Sequence, residues 1–112
     1  MQGNPTVGVS FDPNANPQFT FDNERVVMRE AGKILLIQRP ASASWKFRDA
    51  DVKDDKLKQF SSTVLGNGNS LQIDDAFRDR TFTEYSYNVT VELSGTTFQS
   101  PDPVIVNDPG GR

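Results

Sequence analysis

A chain of 112 residues with 35% hydrophobic content and a net charge of −3 has room for one domain built on one thin core. It has no cysteine and no histidine, so disulfides are excluded, zinc, blue-copper, haem and iron–sulfur sites lose their usual ligands, and Ser–His–Asp and Cys–His catalysis are ruled out. The 12 basic residues are scattered, no apolar run approaches the roughly 18 residues of a membrane span, and residues 1–20 lack a basic start and an apolar stretch; the sequence therefore predicts no nucleic-acid partner, no membrane span and no signal peptide, in keeping with a cytoplasmic chain.

The apolar residues fall in short alternating runs, the pattern of strands packed on one face. Residues 6–11 form the first, with Val7, Val9 and Phe11 on one side. Asp12-Pro13-Asn14-Ala15-Asn16-Pro17 is a turn by composition. Phe19 and Phe21 alternate again, and residues 25–28 keep β character. A turn at residues 30–33 precedes Ile34-Leu35-Leu36-Ile37, which is apolar on both faces and so reads as a central strand or one covered on both sides, ended by Pro40. Trp45 and Phe47 share a face of the next strand. Residues 48–58 are dense in charge and read as a solvated crossover loop with at most one helical turn. Residues 59–65 form a strand, Gly66-Asn67-Gly68-Asn69 a turn, and Leu71 and Ile73 lie on a further strand before a polar connection around Asp74, Asp75 and Asp79.

Residues 82–93 give the clearest strand. Tyr85, Tyr87, Val89, Val91 and Leu93 face one way, and Glu84, Ser86, Asn88, Thr90 and Glu92 the other, a period of two that a helix cannot produce. Ser94-Gly95 turns the chain so that residues 96–99 pair back as a hairpin. Residues 104–106 form a short last strand with Val104 and Val106 on its buried face, and residues 107–112 a loose tail. Eight or nine short strands with regular turns, and no linker or repeat, predict a single all-β domain over residues 1–112, a two-sheet β-sandwich.

Trp45-Lys46-Phe47, Ser70-Leu71-Gln72-Ile73-Asp74-Asp75, Tyr85-Ser86-Tyr87-Asn88-Val89-Thr90-Val91 and Asp102-Pro103-Val104-Ile105-Val106-Asn107 occur in this order. Together they resemble the DP-EP family of short bacterial proteins over residues 45–107, with an echo at Phe11-Asp12-Pro13. The resemblance implies a Greek-key, immunoglobulin-like sandwich in a bacterial cytosol, and aspartic-type self-cleavage near the C-terminus. This chain departs from the pattern in having Asp-Pro pairs and no Glu-Pro pair.

Asp102 and Pro103 are the candidate catalytic residues. An aspartate side chain can attack its own carbonyl carbon to close a five-membered anhydride, and the proline amide leaves once a second acid protonates it. The structural alternative ranks first: proline opens an edge strand and Asp102 bonds nearby backbone in an Asx turn. Asp108-Pro109 repeats the dipeptide in the tail. Tyr87 is the expected tyrosine corner, its hydroxyl reaching the connection at residues 74–79. Trp45 and Phe47 read as packing residues. The segment from Asp12 lacks the glycine at the sixth position of a calcium loop and has Asn23 where the bidentate glutamate belongs, and Asp49 and Asp51 fit no better. Asn88-Val89-Thr90 matches a glycosylation sequon in mid-strand. No cofactor or metal is expected. The functional expectation is a non-catalytic module that binds a protein or a second copy of itself, with autoproteolysis at Asp102-Pro103 as the alternative.

Overall fold

A computed structural model of the protein describes residues 4–110. Among these residues ten strands follow one another: β1 (Thr6–Phe11), β2 (Phe19–Phe21), β3 (Arg25–Met28), β4 (Gly32–Gln38), β5 (Lys46–Val52), β6 (Phe60–Leu65), β7 (Ser70–Asp75), β8 (Thr83–Leu93), β9 (Thr96–Gln99) and β10 (Val104–Asn107). Among the described residues the one helical element is the 3-10 turn Gly66–Gly68 between β6 and β7. The strands build two mixed, open sheets. The first runs β2-β1-β4-β7-β6; the second runs β3-β10-β8-β5, with β9 also paired to β8. Two neighbouring pairs are parallel, β1 with β4 and β10 with β3.

Alternation decides what is buried. Val7, Val9, Ile34, Leu36, Leu71 and Ile73 from the first sheet and Phe47, Tyr87, Val89, Val91 and Ile105 from the second are wholly enclosed in one core. Rings join the two layers: Phe21 of β2 meets Tyr87 of β8 edge-on at 6.5 Å, and Phe11 of β1 packs against Phe98 of β9 at 4.9 Å. Trp45 and Phe47 meet edge to face at 5.0 Å, both buried, as packing residues. β4 is the central strand of its sheet, with Ile34 and Leu36 in the core and Leu35 and Ile37 half-buried on the other face.

The structure corrects four expectations. β4 begins at Gly32, inside the expected turn, because Gly32 and Lys33 already pair with Asp75 and Asp74. Residues 48–52 belong to β5, not to a loop, and no helical turn follows. Asp49 and Asp51 point to solvent while Ala50 and Val52 are half-buried, but a bulge between Phe47 and Asp49 breaks the alternation that would reveal the strand. β10 is not an edge strand: it lies between β3 and β8, so Ile105 and Val106 are both enclosed while Val104 is only half-buried. Asn107 is not tail. It is the last residue of β10 and is fully buried, paired with Met28 on one side and Thr83 on the other. Asp108 is also tied down: its N–H donates to the Met28 carbonyl at 2.8 Å and its carboxylate takes Arg29 at 3.0 Å. Residues 111 and 112 of the expected tail lie outside the described residues.

Candidate functional site

At the end of the domain where β6 starts and β7 and β10 finish, three polar side chains are buried together: Gln59, Asp75 and Asn107. Buried polar groups are tolerated only when hydrogen-bonded, and these bond one another. The Asn107 amide nitrogen donates toward Asp75 Oδ1 at 3.2 Å, Asp79 Oδ2 at 3.0 Å and Gln59 Oε1 at 3.2 Å. The Gln59 amide nitrogen donates to Asp79 Oδ2 at 3.0 Å and to the Tyr85 hydroxyl at 2.9 Å. Tyr85 in turn donates to the Asp79 carboxylate, whose oxygens lie 2.8 and 2.9 Å away. Backbone N–H groups complete the network, Phe77 to Asp75 Oδ1 at 2.9 Å and Arg78 to Gln59 Oε1 at 2.7 Å.

The network is rich in acid. Burial pushes the Asp75 carboxyl above its ordinary range; bonds from Phe77 and Asn107 offset part of this, and the charges of Asp79 and Asp55 add to it. Burial first, then the bond to Asp79, raises Tyr85 to about 12. Asp75 Oδ2 and Asn107 Oδ1 are enclosed without a partner. The expected tyrosine corner is not formed: the Tyr87 hydroxyl sits in the core with no partner, and it is Tyr85 that reaches the connection after β7, where it bonds the Asp79 side chain in place of backbone. Both rings point inward from β8, and only Tyr85 lies beneath the loop.

Two loops cover this cluster, residues 53–59 and 76–82. Asp55 fastens the first by accepting the Gln59 and Phe60 N–H groups at 3.1 and 3.0 Å. Arg78 joins the second to the first, its guanidinium donating to the Leu57 carbonyl at 3.0 Å and the Lys58 carbonyl at 3.4 Å. Asp54, Lys58 and Phe77 take left-handed backbone angles, with φ of 56°, 53° and 56°. Such angles are unfavourable for residues with a Cβ and persist only where the surroundings hold them. Leu57 and Phe82 stand out from these loops, 43% and 55% exposed.

Asp102 and Pro103 lie elsewhere, on the lead into β10. Lys53 Nζ holds the Asp102 carboxylate at 2.9 Å, and both side chains are nearly half exposed. Pro103 is buried and its carbonyl accepts the Tyr87 N–H at 3.0 Å. The Val104 N–H donates to the Glu24 carbonyl at 2.8 Å, and Glu24 and Asp102 border one groove of about 250 Å³ with Phe19 and Phe21. The Asp102 carboxylate thus pairs with a lysine in place of the expected Asx turn. A true Asx contact occurs at Asp12, whose Oδ1 accepts the Asn14 N–H at 2.9 Å. Asn88 of the sequon is largely buried at 8% exposure. Among the described residues no group of three or more acidic side chains is arranged to hold a metal ion.

A small all-β domain of two open sheets, closed at one end by a buried acid–amide network, is the class these features define. The chain belongs to the DP-EP family, which its sequence matches over residues 3–109. Among solved structures it is similar to the NMR structure of a protein from Bacteroides thetaiotaomicron, at 14% identity over 79% of this chain and 76% of that one, with a TM-score of 0.44. No curated protein matches it.

Proposed function

We propose that this protein is a non-catalytic interaction module that presents its loops at residues 53–59 and 76–82 to a protein partner or a second copy. We read its two open sheets as a Greek-key, immunoglobulin-like sandwich and place it in a bacterial cytoplasm. The observation that carries the reading is the fastening of two exposed apolar tips, Leu57 and Phe82, on loops cross-tied by Arg78 and underpinned by the buried network. Loops that carry binding residues on a rigid scaffold lose little freedom on docking.

A second reading, self-cleavage between Asp102 and Pro103, is favoured by one observation. Glu24 shares a groove with Asp102 and its backbone is bonded to Val104, which makes it the candidate for the second acid. In that reaction Asp102 attacks its own carbonyl carbon, the bond to the Pro103 nitrogen breaks, Glu24 supplies the proton to that nitrogen, and water reopens the anhydride. Wild type, Asp102→Asn and Glu24→Gln, aged for days at mildly acidic and at neutral pH, separate the readings by denatured mass. Intact chain throughout is expected. A fragment ending at Asp102 that both substitutions suppress, and that unfolding abolishes, would overturn the interaction module in favour of the peptidase.

A further inference from the structure

We infer that the open edge of β6 takes up an extended segment of a partner protein as an added strand, its apolar side chains entering the cleft between β6 and β5 and a lysine or arginine reaching Asp49 and Asp51. This surface is not the loop tips Leu57 and Phe82 and does not rest on them. Strands that end a sheet are usually shielded from other chains. β2 has three residues, β3 has four and opens on Arg25, and β5 carries a bulge with Lys46, Arg48, Asp49 and Asp51. β6 ends its sheet too, yet its six residues, Phe60-Ser61-Ser62-Thr63-Val64-Leu65, hold no charge, no proline and no bulge. The Ala76 N–H donates to the Gln59 carbonyl, so the odd-numbered residues of this stretch turn their backbone groups to β7. Those of Phe60, Ser62 and Val64 face the open edge. Asp55 takes the Phe60 N–H at 3.0 Å, whereas the Ser62 and Val64 N–H groups have no partner among the described residues. Unpaired donors and acceptors along a sheet edge are what an added strand bonds to.

The surrounding side chains set what that strand carries. Phe60, Ser62 and Val64 lie opposite Asp75, Ile73 and Leu71 and so face the interior, yet Val64 is left 38% exposed. Beside them a cleft of about 360 Å³ opens between the sheets, with Ala50, Val52, Phe60 and Ile73 as its apolar wall. Side chains of an added strand that stand opposite Phe60, Ser62 and Val64 point the same way and enter it. The charge here is negative. Asp51 and Asp55 line the cleft against one cation, Lys58, and Asp49 stands 3.4 Å from Ser62 Oγ. Asp49 and Asp51 are exposed and form no ion pair among the described residues. A lysine or arginine opposite Ser62 therefore meets unpaired carboxylates. A second copy offers no such group: its β6 is uncharged and carries another Asp49 beside its own Ser62.

The test is fluorescence anisotropy with a labelled heptapeptide that has valine, lysine and valine at its second, fourth and sixth positions and threonine elsewhere, against the same peptide with glutamate in place of lysine. The lysine peptide should bind about tenfold or more tightly than the glutamate peptide, and should weaken with added salt. Methylated on its valine and lysine backbone nitrogens, it cannot donate to the edge and should not bind. Asp49→Asn/Asp51→Asn should cut the preference for lysine to about twofold or less. Val64→Pro removes an N–H that faces the open edge, takes no bond from β7, and should weaken binding about tenfold. Amide exchange in wild type needs no variant to fold: the peptide should slow Ser62 and Val64 about tenfold or more and leave Ser61 and Thr63, already paired with β7, little changed. Absence of lysine-peptide binding, equal binding by the glutamate or methylated peptide, or slowing confined to other residues each overturn the site. Slowing of Ser62 and Val64 by rising protein concentration without peptide would seat a second copy on the edge and overturn the occupant.

Discussion

Tyr85 and Tyr87 stand two residues apart on one face of β8, yet the Tyr85 hydroxyl donates to Asp79 at 2.8 Å and the Tyr87 hydroxyl is enclosed without a partner. Removing the two hydroxyls should have opposite results. Tyr85→Phe leaves the Gln59 amide and the Asp79 carboxylate each short of a bond and should lower stability by about 1–3 kcal/mol. Tyr87→Phe removes an unsatisfied polar atom from the core and should leave stability unchanged or raise it by up to about 1 kcal/mol. Urea midpoints of the two variants decide the matter; a loss at Tyr87 equal to that at Tyr85 would mean that its hydroxyl has a partner in solution.

Asp75 should make stability fall as pH rises. Its folded pKa is raised, so the folded chain holds the proton more tightly than the unfolded chain. The contribution is complete below the ordinary carboxylate range and is lost as pH climbs through the raised folded value. Asp55, Asp79 and Tyr85 face it, Arg78 contributes its N–H nearby, and the Lys33–Asp74 ion pair sits one residue away. Asp75→Asn should flatten the fall in stability with rising pH above the ordinary carboxylate range, because an amide has nothing to titrate there. Chemical denaturation in steps across that range gives the slope directly, and an unchanged slope in the variant would assign it to another group.

Asp74 should act in the opposite sense. The bond from Lys33 lowers its pKa, so its contribution is present above the ordinary carboxylate range and is lost as pH falls through the folded value. Lys33→Ala should shift the Asp74 carboxyl resonance titration upward toward the ordinary value. If the titration stays where it was, the bonds from Gln72 hold the carboxylate without the lysine.

Val89→Asp should prevent folding. Val89 is wholly enclosed between the sheets, and an unpaired carboxylate there costs more than about 3 kcal/mol, a large part of the stability of a domain this size. Loss of amide-shift dispersion would show it; a well-dispersed spectrum would mean that this face of β8 is not buried in solution.

Gly68→Ala should destabilise by about 1–2 kcal/mol. Gly68 has φ of +94°, and a Cβ there would lie 2.7 Å from the Lys46 Cβ and 3.2 Å from the Phe47 carbonyl oxygen. Thermal midpoints of Gly68→Ala and Gly95→Ala make the comparison, since Gly95 has φ of +82° but open space around it. Equal losses at both would leave backbone angle as the whole cause.

Where strands alternate without interruption, the residues declare the fold: Tyr85, Tyr87, Val89 and Val91 are all buried as their spacing requires. The start of β5 was legible from Trp45 and Phe47, but its residues 48–52 escaped because their charges suit a loop and the bulge at Arg48 shifts the period. The site was less legible. Gln59 comes from the loop just before β6, Asp75 from the end of β7 and Asn107 from the end of β10, and no local pattern announces that they meet. Asn107 follows an apolar run by one residue and carries a polar side chain, so it looks like the first residue of a tail. Its burial depends on the parallel pairing of β10 with β3, a contact across 79 positions that periodicity cannot express. The tyrosine pair shows the same limit: spacing puts both rings on one face but does not say which lies under the loop.

The parallel seating of β10 beside β3 also governs the order in which the molecule can be completed during synthesis. β3 is made early, yet its hydrogen-bonded neighbour in the second sheet is β10, the latest made of the ten described strands. Until residue 107 clears the ribosome, β3 and the first half of β8 each keep an open edge, and the cavity for Ile105 and Val106 stays unfilled. A nascent chain stopped before Val104 therefore exposes templates for pairing with other chains, and closure should be slow because it joins distant parts of the sequence. A ribosome-bound series of lengthening chains should gain protease resistance in one step, only after β10 has emerged.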